Sequence, residues 1–308
     1  MRWEDFRRSD NVEDYRDSGG GFGRGGGFPV GGGGLGIGTV VVLGLLGWAL
    51  GIDPSLLIGG AEILTGGGQR YEQPYREPRG REPAQRGAPT DESGSFVAAV
   101  LGNTEDVWQD IFRESGQAYR APRLRLYAGA IQGGCGMAQA AMGPFYCPND
   151  QRIYLDTQFF REIEQRFRGC NGKACQFSQA YVIAHEVGHH VQNLLRILPR
   201  AQQAQQSAGS RAESNQIQVR VELQADCLAG VWANRSNARW KSVEPGDIDA
   251  AMQTAAAIGD DTLQRKSQGR VVPDSFTHGS SAQRQRWFMT GFQSGKVSSC
   301  NTFTTASP

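Results

Sequence analysis

His185, Glu186 and His189 stand in the spacing H-E-x-x-H within the stretch YVIAHEVGHH at residues 181–190. Apolar residues at Tyr181, Val182, Val187, Val191, Leu194 and Leu195 put the stretch on one helix, where residues four apart share a face. Both imidazoles can then converge on one zinc ion, with Glu186 directed at the open coordination position. Zinc lowers the pKa of a coordinated water from about 15.7 to roughly 7. Glu186 could accept that proton and pass it to a leaving amine, so the chemistry in outline is hydrolysis. Gly188 costs a helix about 1 kcal/mol relative to Ala, which implies that something approaches that face closely. Three of the four histidines lie in this stretch, and His190 points elsewhere on the helix as a structural or surface residue.

A zinc site needs a third protein ligand. Residues 211–234 form a second helical pattern, with Ile217, Val221, Leu228 and Val231 near one face. Glu222 and Asp226, four apart, also share a face. Packed against the first helix, Glu222 would be the third ligand and Asp226 the acceptor that fixes the tautomer of His185 or His189. The plain alternative is an ordinary helix with a solvated acidic edge.

Three stretches together, H-E-V-G-H at 185–189, R-V-E-L-Q-A-D at 220–226 and T-H-G-S-S-A-Q-R-Q-R-W-F at 277–288, carry a family resemblance. The chain resembles the bacterial membrane-anchored putative neutral zinc metallopeptidases. The opening residues 1–17, the Gly-rich apolar segment and F-Y-C-P-N-D-Q-R-I-Y-L-D at 145–156 match as well, so the resemblance covers nearly the whole chain. More distantly it is similar to integral membrane metallopeptidases of the prenyl-protease and heat-shock type. Those usually have Pro after the last His, where this chain has Gly279. The resemblance implies a mainly helical, zincin-like α+β domain with a small antiparallel sheet, preceded by one transmembrane helix. It also implies that His278 hydrogen-bonds the tetrahedral oxyanion opposite Glu186. Arg284 would support the same charge or hold the His278 loop. From the residues alone, His278 reads equally as a structural histidine at a loop-to-helix junction.

The elements around these residues follow from the chain in order. The net charge of +1 argues against nucleic acid as an obligatory partner. Residues 1–34 read as a disordered tail, a charged stretch (1–17) without an apolar stripe followed by a Gly-rich linker. Residues 35–52 contain no charge and would span about 27 Å as a helix, close to the hydrocarbon thickness of a bilayer, so they read as a transmembrane anchor. Gly47 and Gly51 give a G-x-x-x-G spacing through which two anchors could pack. Residues 53–94, with five prolines, read as a flexible tether, and 95–308 as the metallopeptidase domain. Within it, 96–119 reads as two helices broken by a turn at Gly102-Asn103, 123–127 as a strand and 135–142 as a Gly/Ala-rich loop. Residues 145–155 read as a hairpin around Pro148-Asn149-Asp150 that could offer an edge strand to an extended peptide. Further helices are expected at 157–168, from Pro245 to about 260, and at 282–291.

All six cysteines, Cys135, Cys147, Cys170, Cys175, Cys227 and Cys300, follow the apolar segment, which reads as disulfides in an oxidising compartment. The expected pairs are Cys135 with Cys147, Cys170 with Cys175 and Cys227 with Cys300, although spacing alone leaves the other pairings open. Arg16 and Arg24 before the segment, against Arg70 after it, lean slightly toward a cytoplasmic N-terminus. The expected arrangement is a single-pass bacterial membrane protein with the catalytic domain outside the cytoplasm. Two functions fit: a zinc peptidase acting on a peptide or protein substrate, and a metal-binding but non-catalytic envelope scaffold. Glu186, which metal binding does not require, favours catalysis.

Overall fold

The computed structural model describes residues 1–16, 85–86, 89–139, 143–160 and 173–305. The expected membrane segment 35–52 lies outside the described residues, as do the Gly-rich linker, most of the tether and most of the helix expected at 157–168. Among the described residues no helix is long and apolar enough to cross a membrane.

The strands are β1 (Val12–Asp14), β2 (Gln85–Arg86), β3 (Arg123–Tyr127), β4 (Ala130–Gly133), β5 (Gly136–Gln139), β6 (Phe145–Cys147) and β7 (Arg152–Asp156). The helices are α1 (Glu92–Glu114), α2 (Lys173–Leu194), α3 (Ile197–Gln206), α4 (Arg211–Trp240), α5 (Asp247–Ala257), α6 (Asp260–Gln268) and α7 (Ser281–Ser294). The architecture is mainly helical α+β. Helix α4 runs through the middle and packs against α1, α2, α3 and α7, while α2 also meets α1, α5 and β6. Its buried face carries Leu223, Cys227, Leu228, Val231 and Trp232. The Cys227–Cys300 disulfide ties the C-terminal turn to α4 across a sequence separation of 73. Closing a loop of that length removes unfolded-state entropy worth roughly 4 kcal/mol.

One five-stranded sheet has the order β2-β1-β3-β7-β6, and β4–β5 form a separate hairpin. The sheet departs from the expected antiparallel one, because β1, β3 and β7 run parallel and only the edges β2 and β6 are antiparallel. The β4–β5 hairpin occupies most of the stretch expected to be a loop. Glycines obscured its alternation, and the Cys135–Cys147 disulfide fastens it to β6.

Residues 1–16 are not a solvated tail. Trp3, Phe6 and Val12 are buried, and Trp3 meets Phe96 edge-on while Phe6 meets Trp240. Burial of each such side chain contributes roughly 1.5–3 kcal/mol. The charges that gave the segment its tail-like look are absorbed locally. Glu13 accepts from Arg125 at 2.8 Å and Arg123 at 3.1 Å, while Ser9 and Asn11 both donate to Glu105 Oε1.

Helix α1 is likewise one helix, not two. A Cβ at Gly102 would lie 2.2 Å from the Arg7 carbonyl oxygen, so the glycine marks a backbone crossing by the N-terminal segment rather than a turn. Gly102→Ala tests this directly. Ala is the better helix former by about 1 kcal/mol, but a contact so far inside van der Waals range must displace Arg7, at a typical overpacking cost of about 1–3 kcal/mol. A lowered melting temperature with faster proteolysis near residues 7–16 is expected; an unchanged or raised melting temperature would contradict the crossing.

Candidate metal centre

Helices α2 and α4 can meet closely because Gly188 has no side chain. A Cβ there would lie 3.0 Å from the Ala225 carbonyl oxygen and 3.2 Å from its Cα. The approach that the glycine implied is thus made by the backbone of α4. It brings His185 Nε2 to 3.2 Å and His189 Nε2 to 3.4 Å from the same Glu222 oxygen, Oε2. One ligand atom from each of the three residues lies within 4.8 Å of the other two. The expected ligand set is therefore assembled in space.

Both imidazoles are oriented from behind. Asp226 Oδ1 accepts from His185 Nδ1 at 2.8 Å, leaving Nε2 to face Glu222. Asp226 also accepts from Tyr181 Oη at 2.6 Å and from Arg284 Nε and Nη2 at 2.9 and 3.0 Å. Burial pushes this carboxyl upward, but the Arg284 guanidinium and His185 outweigh it and hold Asp226 well below the usual carboxylate range. Burial likewise disfavours a charged His185, yet Asp226 and Glu222 raise its pKa to about 10.

For His189 the corresponding partner is Gln192, which the sequence reading missed. Gln192 Nε2 donates to the Val221 carbonyl at 2.8 Å and to Gln224 Oε1 at 2.9 Å. Its Oε1 is thereby turned toward His189 Nδ1, 2.9 Å away, and accepts from it. The available signal was its position three residues after His189, within reach on the helix surface. Gln218 similarly donates to Glu222 Oε1 at 2.8 Å.

Glu186 is buried beside the two histidines on α2. Burial and the Glu222 charge push its pKa above the usual carboxylate range, against the pull of His185 and His189. The edge strand β6 packs against α2, the helix that carries both histidines.

His278 and Arg284 diverge. Arg284 is buried, bound to Asp226 and Tyr181, and belongs to the scaffold behind His185. The role drawn from resemblance, support of an oxyanion or of the His278 loop, is not what these contacts display; they join Arg284 to Asp226, Tyr181 and the Ile258 carbonyl. His278 is about half exposed, with 52% of its side-chain surface open. Its loop is gathered by Asp260, whose Oδ2 accepts from the backbone N–H groups of Thr277, His278 and Gly279 at 2.7, 2.6 and 3.0 Å. The enclosed side of the ring is desolvated, which lowers its pKa, but Asp260 and the nearby Glu222 charge more than reverse this. Asp260 carried no signal in the sequence, because its role appears only when α6 meets the loop before α7.

His190 turns away from the site and is wholly buried. Its Nε2 donates to the Arg120 carbonyl at 2.6 Å and its Nδ1 accepts from Tyr146 Oη at 3.1 Å, while burial holds its pKa down at about 4. Two substitutions should separate orientation of the ligands from support of the fold. Gln192→Leu is expected to weaken zinc affinity about 10–100-fold in a competition titration. His190→Phe leaves the Arg120 carbonyl without its donor and Tyr146 Oη with Asn193 alone, at about 1–3 kcal/mol of stability, with zinc affinity unchanged. Equal zinc affinity in Gln192→Leu and the unaltered chain would refute the role given to Gln192.

Two imidazole nitrogens and one carboxylate, already convergent and held from behind, are a donor set that zinc takes readily. The model of the family described as putative neutral zinc metallopeptidase matches residues 1–303. Uncharacterized protein YpfJ of Escherichia coli K12 is 46% identical over 306 residues, covering 98% of this chain and 99% of that protein. Uncharacterized protein Rv2575 of Mycobacterium tuberculosis H37Rv is 43% identical over 219 residues, covering 68% of this chain and 70% of that one. No solved structure matches. Agreement along essentially the full length, with the ligand geometry above, establishes that the chain belongs to the putative neutral zinc metallopeptidase family.

Proposed function

We propose that the protein is a zinc-dependent peptidase that hydrolyses peptide bonds in a peptide or protein substrate. The observation that carries this reading is Glu186: buried, adjacent to the ligand cluster, yet outside the set His185, His189 and Glu222 that would hold the metal. Zinc bound there supplies a Lewis acid that makes water nucleophilic near neutral pH. Glu186 is placed to take a proton from the attacking water and to deliver it to the departing amide nitrogen. His278, held by Asp260 and kept prone to protonation, would donate to the carbonyl oxygen as negative charge develops. The edge strand β6, which packs against α2, would pair with an extended peptide through backbone hydrogen bonds.

The domain is assigned to an oxidising compartment on the support of its cysteines. Cys135 bonds to Cys147 and Cys227 to Cys300, and Cys175 is also disulfide-bonded. Cys170, its expected partner, lies outside the described residues. Attachment to a bacterial membrane through residues 35–52 is part of the same reading.

The test uses the full-length chain, because β1 belongs to the sheet and a chain begun at Ser95 would lack it. Glu186→Gln is expected to lose peptide hydrolysis by about 10²–10⁴-fold while retaining one zinc, and His278→Ala to lower kcat with zinc retained. Normal hydrolysis by Glu186→Gln would reject Glu186 as the base. A zinc-loaded chain that cleaves nothing in a broad peptide library would favour the non-catalytic scaffold instead.

A further inference from the structure

The first sixteen residues and the domain after residue 88 form one folded unit. Strand β1 lies inside the sheet, flanked by β2 and β3, with Val12, Glu13 and Asp14 in register with Leu124, Arg125 and Leu126. The chain on either side of β1 continues the ladder: Leu124 N–H donates to the Asn11 carbonyl at 2.9 Å and Tyr15 N–H to the Leu126 carbonyl at 2.8 Å. Ser9 N–H donates to the Ala98 carbonyl at 2.9 Å, and the Arg7 carbonyl lies against Gly102. The Gly102 contact is independent of the strand pairing and would have no purpose if the N-terminal segment lay elsewhere. On the far side of the excursion the chain returns beside its point of departure, since Asp14 pairs with Gln85.

Between these two halves of one sheet stand the eighteen uncharged residues 35–52. Hydrogen bonds between strands 4.7–4.9 Å apart cannot be made across a bilayer whose hydrocarbon core is about 30 Å thick. We infer that residues 1–16 and 89–305 lie on the same side of any membrane that the intervening chain contacts, so that this chain makes no net crossing. This replaces the single-pass arrangement expected from the sequence, with its cytoplasmic N-terminus and extracytoplasmic domain. The charge bias behind that arrangement also weakens, because Arg16 is a partly buried structural cation. It pairs with Asp14 at 2.6 Å and with Asp91 at the start of α1. The inference does not depend on peptidase activity.

Full-length chains carrying one added thiol would test it. Asp10→Cys and Lys266→Cys both sit at exposed positions far from the ligand cluster in sequence, and no cysteine among the described residues is free. A membrane-impermeant maleimide applied to intact spheroplasts, and again after lysis, should label both variants to the same extent at each stage. Labelling of one variant in intact spheroplasts, with the other reacting only after lysis, would overturn the inference. A second measurement uses Arg7→Cys with Asp106→Cys, whose native side chains meet at 2.9 Å. A short bis-maleimide should join these positions within one chain in isolated membranes. Reaction of both thiols with a monofunctional maleimide, but no internal cross-link, would overturn it as well.

Discussion

The structure depends on one buried carboxylate. Asp226 is fully shielded from solvent and accepts hydrogen bonds from His185, Tyr181 and Arg284, which belong to α2 and α7. A charge in that position persists only if it is paired and its lone pairs are satisfied. Arg284 supplies the countercharge from α7 while His185 and Tyr181 supply donors from α2, so three helices are locked together through two oxygens. Removing one partner of such a pair typically costs about 3–5 kcal/mol. The same contact aims the opposite nitrogen of His185 at Glu222, so the scaffold and the ligand geometry share a cause.

The chemistry was more legible in the sequence than its support. His185, Glu186, His189, Glu222 and Asp226 could be read because spacings of four on a helix dictate a common face, and the ligand types limit the choice of metal. Gly188 announced a close contact without saying with what. Gln192 and Asp260 escaped because each acts through a tertiary contact: one reads α4 from α2, the other gathers a loop eighteen residues downstream. Arg284 was found, but its contact with Asp226 was not foreseen, since spacing cannot tell a cation that faces the cleft from one buried behind a ligand.

The fold misled the sequence reading where local composition and tertiary context disagree. A segment dense in charges looks solvated when taken alone, yet Glu13, Arg7 and Arg16 find their partners on β3, β7 and α1. Gly102 looked like a turn because its neighbour across the helix surface is nearly a hundred residues away in sequence. Both errors share a source, the N-terminal segment that completes the sheet.

The account centres on two imidazoles and a carboxylate sharing one zinc ion, and X-ray absorption at the zinc edge of the purified full-length protein addresses that claim most directly. A four-coordinate nitrogen and oxygen shell, with the scattering of two imidazole rings and one carboxylate, is the expected spectrum. A sulfur shell, or an imidazole count that His189→Ala leaves unaltered, would contradict it.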